Sequence, residues 1–126
     1  MTIKQESKVT NQVFGKWGED CAASYLEKKG AIIIARNVRT PAGEIDLIVL
    51  DREMLVFVEV KTRSTQVGVY PEEAITEEKL DHMITSAEYY LDEHPEFPDN
   101  WRLDVIAING KIGDKNPKIE WFENVS

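Results

Sequence analysis

The sequence predicts one α/β domain in which helices flank a mixed central β-sheet. Apolar residues recur at helical spacing in two segments, and short runs rich in Ile and Val lie between and after these segments. The resulting order of elements is α-β-β-β-α-β-β. A length of 126 residues, 42% of them hydrophobic, suits a single domain. We expect it to span residues 1–126, with a core at about 11–123 and a flexible N-terminal segment at 1–10.

The first helix is predicted over residues 11–29 and is followed by three strands. Gly30 is expected just beyond the helix C-terminus. Residues 31–39, rich in Ile and Val, form the first strand. The turn residues 40–43 lead into strands 44–50 and 55–62, which a short polar turn separates. The apolar positions of the helix are Val13, Phe14, Trp17, Cys21, Tyr25 and Leu26.

The second half is predicted to hold one helix and two strands. A loop at 66–71 precedes a helix at 74–91, which ends near His94-Pro95. Strands follow at 101–108 and 118–122. The apolar stripe of the helix consists of Leu80, Met83, Ile84, Ala87 and Leu91.

Charge and composition argue against several classes of protein. The net charge is −8, and residues 1–63 hold 10 Lys/Arg and 9 Asp/Glu, whereas residues 64–126 hold 5 and 14. This balance argues against a general nucleic-acid coat protein and places any polyanion site in the first half. The apolar stretches fall far short of the roughly 18 residues of a membrane span, and the single cysteine excludes an internal disulfide. We expect a cytoplasmic protein without membrane contact.

The hairpin of the second and third strands carries an unusual set of charges. Because side chains alternate along a strand, Glu44 and Asp46 share one face of the second strand. Glu59 and Lys61 likewise share one face of the third. A two-residue turn and a four-residue loop give the same register, which places Asp46 opposite Glu59. The same register places Glu44 opposite Lys61. Like charges in such positions are destabilising unless something compensates them.

A divalent cation is the compensation that this pattern favours. Carboxylate oxygens near a backbone carbonyl suit Mg²⁺ or Mn²⁺ better than zinc, which favours His and Cys. A lysine two residues after a metal-binding glutamate can hold an attacking water and stabilise charge on a phosphate. These are the parts of metal-assisted phosphodiester hydrolysis. An alternative stays open, in which Glu44 and Lys61 form an ordinary ion pair and Asp46 hydrogen bonds to the adjoining loop.

The chain also resembles a known family. Asp46, followed thirteen residues later by Glu59-Val60-Lys61, is similar to the Asp…(Asp/Glu)-x-Lys signature of restriction-endonuclease-like nucleases. A longer and more specific run resembles the YraN-like family of uncharacterised bacterial proteins over roughly residues 14–108. That family is regarded as similar to Holliday-junction resolvases. The run includes Gly18-Glu19, Arg36-Asn37-Val38-Arg39, Gly43-Glu44-Ile45-Asp46, residues 55–63, Glu73-Ala74-Ile75 and Arg102-Leu103-Asp104.

The resemblance implies a restriction-endonuclease-like fold and roles for individual residues. Asp46 and Glu59 correspond to metal ligands, and the backbone carbonyl of Val60 to a further ligand. Lys61 corresponds to the catalytic lysine. Glu19 corresponds to an additional catalytic acid on the first helix.

Two positions depart from the wider pattern, and a third supports the ligands. Ile45 stands where the superfamily has a nominal proline. Family members often carry a basic cluster at the start of the second helix, of which Lys79 alone remains. Glu44, within the family's Gly-Glu-Ile-Asp run, is expected to lie behind the ligands and support them.

The activity that the resemblance implies is that of a Mg²⁺- or Mn²⁺-dependent endonuclease acting on DNA, with branched or structured DNA favoured by analogy with resolvases. The expected contacts to DNA phosphates are Arg36, Arg39, Arg63 and Lys79. Because a resolvase cuts two strands, a homodimer is expected. The alternative is a non-catalytic nucleic-acid-binding or protein-partner module that keeps the fold and uses the acidic second half for a protein partner.

Overall fold

The computed structural model describes residues 10–64 and 75–126, and these contain two helices and five strands. The predicted α/β class and the order α-β-β-β-α-β-β are confirmed. The loop at 66–71, the start of the second helix at 74 and residues 1–9 of the N-terminal segment lie outside the described residues. The helices are α1 (Asn11–Lys28) and α2 (Glu77–Glu93), and the strands are β1 (Ile32–Thr40), β2 (Gly43–Asp51), β3 (Met54–Arg63), β4 (Trp101–Asn109) and β5 (Lys118–Phe122).

The strands form one mixed sheet in the order β1-β2-β3-β4-β5. β1, β2 and β3 are antiparallel neighbours, β4 runs parallel to β3, and β5 returns antiparallel to β4. The parallel step requires a crossover connection, which contains α2. Asp51 pairs with Met54 across a two-residue turn, so the register predicted for the β2–β3 hairpin is confirmed. Among the described residues, no helix is long and apolar enough to cross a membrane.

The sheet separates two apolar layers. Under α1, Leu26 belongs to a cluster with Val56 and Val58 of β3. Under α2, Tyr90 packs with Phe57, and the two rings meet edge to face at 5.9 Å. The alternation predicted along β3 is confirmed by this division between even and odd positions. Odd-numbered side chains of β3 therefore point toward α2.

Local sequence fixes both ends of α1. The hydroxyl of Thr10 accepts a hydrogen bond from the backbone N–H of Val13, which is an N-cap contact. At the other end, Gly30 has φ 96, and its N–H donates to the carbonyl of Glu27 at 3.0 Å. A glycine in the left-handed region satisfies the last carbonyls of a helix. The predicted position of Gly30 is confirmed.

A close contact in the middle of α1 sets its distance from the sheet. Gly18 is buried, and a Cβ at this position would overlap the side chain of Thr62 on β3. The absence of a side chain thus lets the helix approach the end of β3. The next residue, Glu19, is carried toward the β2–β3 hairpin by this contact.

A second charged cluster lies on β4, away from the predicted site. Asp104 is 0% exposed. Its carboxylate accepts hydrogen bonds from Arg102 Nε at 3.0 Å, Trp121 Nε1 at 2.8 Å and the backbone N–H of Asn124 at 2.8 Å. Arg102 also donates to Asp51 at 3.0 Å. Buried charges need such partners, so this cluster ties the end of the described chain to the sheet.

Candidate active site

The predicted site lies where β2 and β3 separate. Their ladder ends with the pair Leu47–Val58, one position before Asp46 and Glu59. There the backbone N–H of Val60 donates to Asp46 Oδ2 at 2.8 Å. A side chain thus takes the place of a ladder carbonyl, and both acids lie at the opening between the strands.

The expected pairing of Glu44 with Lys61 is wrong. Both positions lie beyond the end of the β2–β3 ladder, because the Asp46 side chain has replaced the backbone pairing. Glu44 pairs instead with Arg39 of β1, and Arg39 Nε lies 3.6 Å from Glu44 Oε2. The cross-strand ion pair considered for these two residues is therefore not formed.

An unusual backbone conformation in β1 lies opposite Asp46. Asn37 has φ 52, a left-handed conformation that asparagine adopts more readily than most residues. The β1–β2 pairing skips Asn37 and Asp46 and resumes on both sides of them. Ile45 packs in the same layer as Ile48, three positions away. The strict alternation expected for Glu44 and Asp46 is interrupted by this irregularity.

Asp46 is a largely buried carboxylate with little compensation. Burial raises the pKa of Asp46, and the charges of Glu59 and Glu19 raise it further, to about 7. The hydrogen bond from Val60 and the charge of Lys79 act in the opposite direction. An ionised Asp46 is therefore costly at neutral pH, and a nearby cation would relieve that cost.

Two lysines converge on Glu59, which is only 7% exposed. Lys79 Nζ of α2 lies 2.8 Å from Glu59 Oε2, and Lys61 Nζ lies 3.8 Å from the same oxygen. Burial lowers the pKa of Lys61, and the positive charge of Lys79 lowers it further. Burial is the largest single influence on Lys79 and acts in the same sense, but the hydrogen bond to Glu59 and the negative charges of Glu59 and Asp46 together outweigh it and raise the pKa of Lys79. One carboxylate thus holds two lysines whose pKa values shift in opposite directions.

Glu19 faces the site from α1. Burial raises the pKa of Glu19, while a hydrogen bond from the Asn37 side chain and the charge of Arg36 oppose this rise. Because Glu19 also raises the pKa of Asp46, the two carboxylates lie within electrostatic reach. Glu44 raises the pKa of Glu19 in the same way. The four predicted acids therefore share one region of the molecule.

The oxygen ligands at the site are of the type that Mg²⁺ and Mn²⁺ prefer, but there are few of them. Within residues 10–64 and 75–126, no group of three or more His, Cys, Asp or Glu is arranged to hold a metal ion. Asp46, Glu59 and the Val60 carbonyl would supply oxygen ligands, which these ions prefer. Mg²⁺ is commonly held by one or two carboxylates, with water and substrate phosphate completing its shell. The raised pKa of Asp46 also fits a position built for a cation, so the residues fit such an ion.

The basic residues expected at DNA lie in different surroundings. Arg36 bonds to Asp20 of α1, and Arg63 is exposed at the end of β3. The side chain of Arg39 is 90% exposed. Lys79 points into the site rather than along the outer surface of α2.

A polar groove of about 430 Å³ runs from the site along the first turns of α1. Its other wall is the β1–β2 hairpin. Side chains lining it include Lys16, Glu19, Asn37, Arg39 and Glu44. The groove therefore connects two exposed basic residues with two of the predicted acids.

Two features of the site were missed by sequence reasoning. Asn37 was named only within the family run and given no role, and its left-handed conformation was not expected, although asparagine adopts that conformation more readily than most residues. Lys79 was assigned to DNA contact, and its ion pair with Glu59 was not expected. The orientation of α2 creates that ion pair, and the residue pattern of the helix does not encode its orientation.

Comparisons with known proteins identify a family. A family model described as "Uncharacterised protein family UPF0102" matches residues 18–108. A "UPF0102 protein" of Syntrophotalea carbinolica is 44% identical over 86% of this chain and 86% of its own length. The corresponding protein of Syntrophomonas wolfei is 46% identical, covering 90% of this chain and 97% of its own. That of Dichelobacter nodosus is 42% identical, covering 94% and 92%. The resemblance to the YraN-like family is confirmed, and these names state no activity.

One solved structure shows a distant likeness. Pyrococcus furiosus SfsA in complex with Ca²⁺ matches with 16% identity and a TM-score of 0.35. The match covers 89% of this chain and 61% of that chain. A likeness of this size is too weak to carry an argument about fold or function.

Proposed function

We propose a function for this chain, which belongs to the uncharacterised protein family UPF0102: it is a Mg²⁺- or Mn²⁺-dependent nuclease with a restriction-endonuclease-like fold. Its reaction is hydrolysis of DNA phosphodiester bonds. One observation carries the proposal. The Val60 N–H donates to Asp46 at 2.8 Å at the opening between β2 and β3, which sets Asp46 beside Glu59 and Lys61.

The buried acids are the proposed cation site. Asp46 and Glu59, with the Val60 carbonyl, would hold the ion. When bound, such an ion lowers the pKa of a coordinated water and polarises the phosphoryl oxygen. The pKa of Asp46, raised by burial and by Glu59, supports this assignment because perturbed carboxylates cluster at functional sites.

The other polar side chains orient water and substrate. Lys61 holds the attacking water and stabilises negative charge that develops on the phosphate. Glu19, held by Asn37, contributes an additional carboxylate from α1. Glu44 acts on this arrangement through the charge it places beside Glu19.

DNA is proposed to approach along the groove between α1 and the β1–β2 hairpin. Arg39 and Arg63 are exposed and would contact phosphates, Arg39 by leaving its ion pair with Glu44, while Arg36 is paired with Asp20. Such contacts give affinity without reading sequence. Branched or structured DNA remains the favoured substrate, and two chains would be needed to cut both strands of a junction.

Cleavage of a DNA panel tests this proposal. A four-way junction, a flap, a single strand and a linear duplex are each incubated with Mg²⁺, Mn²⁺ or EDTA. We expect metal-dependent cutting that is lost in Glu59→Ala and Lys61→Ala. Glu53→Ala and Lys118→Ala, at an exposed turn and an exposed strand end, serve as matched controls and should cut normally. Cutting by the Glu59 and Lys61 variants at the wild-type rate would refute the proposal.

The ion pair between Glu59 and Lys79 favours a second candidate function. Because Lys79 already neutralises a buried acid at 2.8 Å, the same residues would also be stable in a non-catalytic binding module. That module would bind DNA or a protein partner without cutting. DNA binding in EDTA, or capture of a partner, together with absent cleavage under every metal condition, would favour it over the nuclease.

A further inference from the structure

We propose that Lys79 is the cation of Glu59 in the metal-free protein, and that Lys79 and a divalent metal ion compete for this carboxylate. The inference rests on the metal site of the proposed function and adds a positioning residue to it. Lys79 was expected to contact DNA from the surface of α2, and its side chain lies within the site instead.

The geometry makes Lys79 the principal partner of Glu59. Its Nζ is 2.8 Å from Glu59 Oε2, a charge-assisted hydrogen-bond distance. Lys61 Nζ is 3.8 Å from the same oxygen, which is too long for a hydrogen bond. Because Glu59 is 7% exposed, its charge needs a close partner, and Lys79 supplies that partner.

Lys79 is also placed so that it can leave. Its side chain is 41% exposed, and it lies in the first turn of α2. A cavity of about 130 Å³ between α2 and the β2–β3 hairpin is lined by Lys79, Glu59, Glu44 and His82. A flexible lysine with space beside it can change rotamer without disturbing the packing of the helix.

Lys79 and a divalent ion exclude each other because both need the same carboxylate of Glu59. A divalent ion at Glu59 is repelled by an ammonium group 2.8 Å from the same carboxylate, so Lys79 must move before the ion binds. The displaced ammonium group then lies at the mouth of the site, where it can pair with a substrate phosphate. By linkage, an oligonucleotide that binds Lys79 raises the affinity of the site for metal.

Calorimetric titration of Mn²⁺ without DNA tests the competition in the full chain. We expect Lys79→Gln to bind Mn²⁺ roughly tenfold more tightly than wild type, which corresponds to the loss of one charge-assisted hydrogen bond. Lys79→Arg, which keeps the charge, should stay near the wild-type affinity. Lys61→Gln also removes a positive charge near Glu59 and should give a smaller gain, because Lys61 is farther away. Lys118→Gln, an exposed lysine of β5, should change nothing.

The affinities of the variants for Mn²⁺ test the competition and the metal site separately. Unchanged or weaker binding in Lys79→Gln, or an equal gain in Lys61→Gln, would overturn the competition and leave the metal site standing. Absent Mn²⁺ binding in all variants would overturn both the competition and the metal site. Thermal melts give a second readout that does not depend on activity: Mn²⁺ should raise the melting temperature of Lys79→Gln more than that of the wild type. An equal rise in both proteins would count against the competition.

Discussion

Asp46 and Asp104 lie on the same sheet, and their carboxylates have different partners. Asp104 is fully buried, and its carboxylate is bonded by Arg102, Trp121 and the backbone of Asn124. Within the part of the chain that the structure describes, Asp46 accepts one hydrogen bond, from Val60, and its strongest charged neighbour is another acid. Asp46 is half-buried, so the two carboxylates differ in burial as well as in the hydrogen bonds and charges that compensate them. The difference in compensation decides which of them can take a ligand.

The difference separates a structural cluster from a candidate active site. A carboxylate such as that of Asp104, whose oxygens are already hydrogen bonded, contributes stability and cannot bind a further ligand. An acid whose pKa is raised to about 7 by burial and by Glu59 costs stability when ionised and can gain from a cation. We infer that the Asp104 cluster stabilises the folded protein, whereas an ionised Asp46 at the β2–β3 opening destabilises it.

The largest expected effect is the loss of the Asp104 carboxylate. Asp104→Asn removes the charge that Arg102 and Trp121 bond, and leaves Arg102 partly uncompensated in a region where its side chain is 15% exposed. We expect destabilisation of roughly 3–5 kcal/mol, the usual cost of breaking a buried charge pair. Urea denaturation at pH 7.5 measures it.

Asp51→Asn is the matched control for that experiment. Asp51 bonds the same guanidinium at 3.0 Å, but its side chain is 22% exposed and it carries none of the other contacts. We expect a loss of about 1 kcal/mol. Equal losses of stability in the two variants would contradict the view that the several hydrogen bonds to Asp104 make it the main stabilising residue of this cluster.

Asp46→Asn is expected to change stability in the opposite direction. Between the ordinary pKa of 3.8 and the folded value of about 7, the folded protein retains a proton on Asp46 that the unfolded chain has released. Wild-type stability therefore falls as the pH rises through this interval. Asn has no charge to bury and can still accept the Val60 hydrogen bond. We expect the variant to match wild type near pH 4 and to exceed it by roughly 2–4 kcal/mol at pH 8.

Denaturation midpoints measured from pH 4 to pH 8 give that curve. Asp81→Asn, at an exposed position of α2, is the control and should leave the pH dependence of wild type unchanged. An Asp46→Asn variant less stable than wild type at pH 8 would place Asp46 in the same class as Asp104 and remove the contrast.

A smaller effect is expected where α1 meets β3. Gly18→Ala forces a Cβ into the Thr62 side chain, and overpacking of this kind costs about 1–3 kcal/mol. Gly15→Ala is on the same helix, and no atom of the described residues lies within 4 Å of the added Cβ, so it should stabilise by up to about 1 kcal/mol. Thermal melts distinguish the two signs. Because Gly18 sets the position of Glu19, Gly18→Ala should also lower the cleavage rate, whereas Gly15→Ala should not.

Much of the fold could be predicted because it is encoded in short sequence patterns. Helical and strand periodicity placed the elements, and Gly30 marked the end of α1. The two-residue turn between Asp51 and Met54 determined the register of the hairpin. These signals depend on neighbouring residues alone, so they can be read from one sequence.

The site was predicted less completely because it depends on contacts between distant elements. The hairpin register placed Asp46 beside Glu59 but did not reveal that the ladder ends there. The exchange of a ladder carbonyl for the Asp46 side chain separates the strands and prevents the pairing of Glu44 with Lys61. The packing of α2 against the sheet decides where Lys79 lies, and periodicity does not encode it.

Calorimetric titration of Mn²⁺ into wild type and Asp46→Asn at pH 7.5 tests most directly whether the opening between β2 and β3 is a cation site. Both proteins should be folded, because the variant keeps the Val60 hydrogen bond and removes a buried charge. We expect saturable binding to wild type and at least a tenfold loss of affinity in the variant, since one of two carboxylate ligands is neutralised. Equal affinities, or no binding to wild type, would contradict the account.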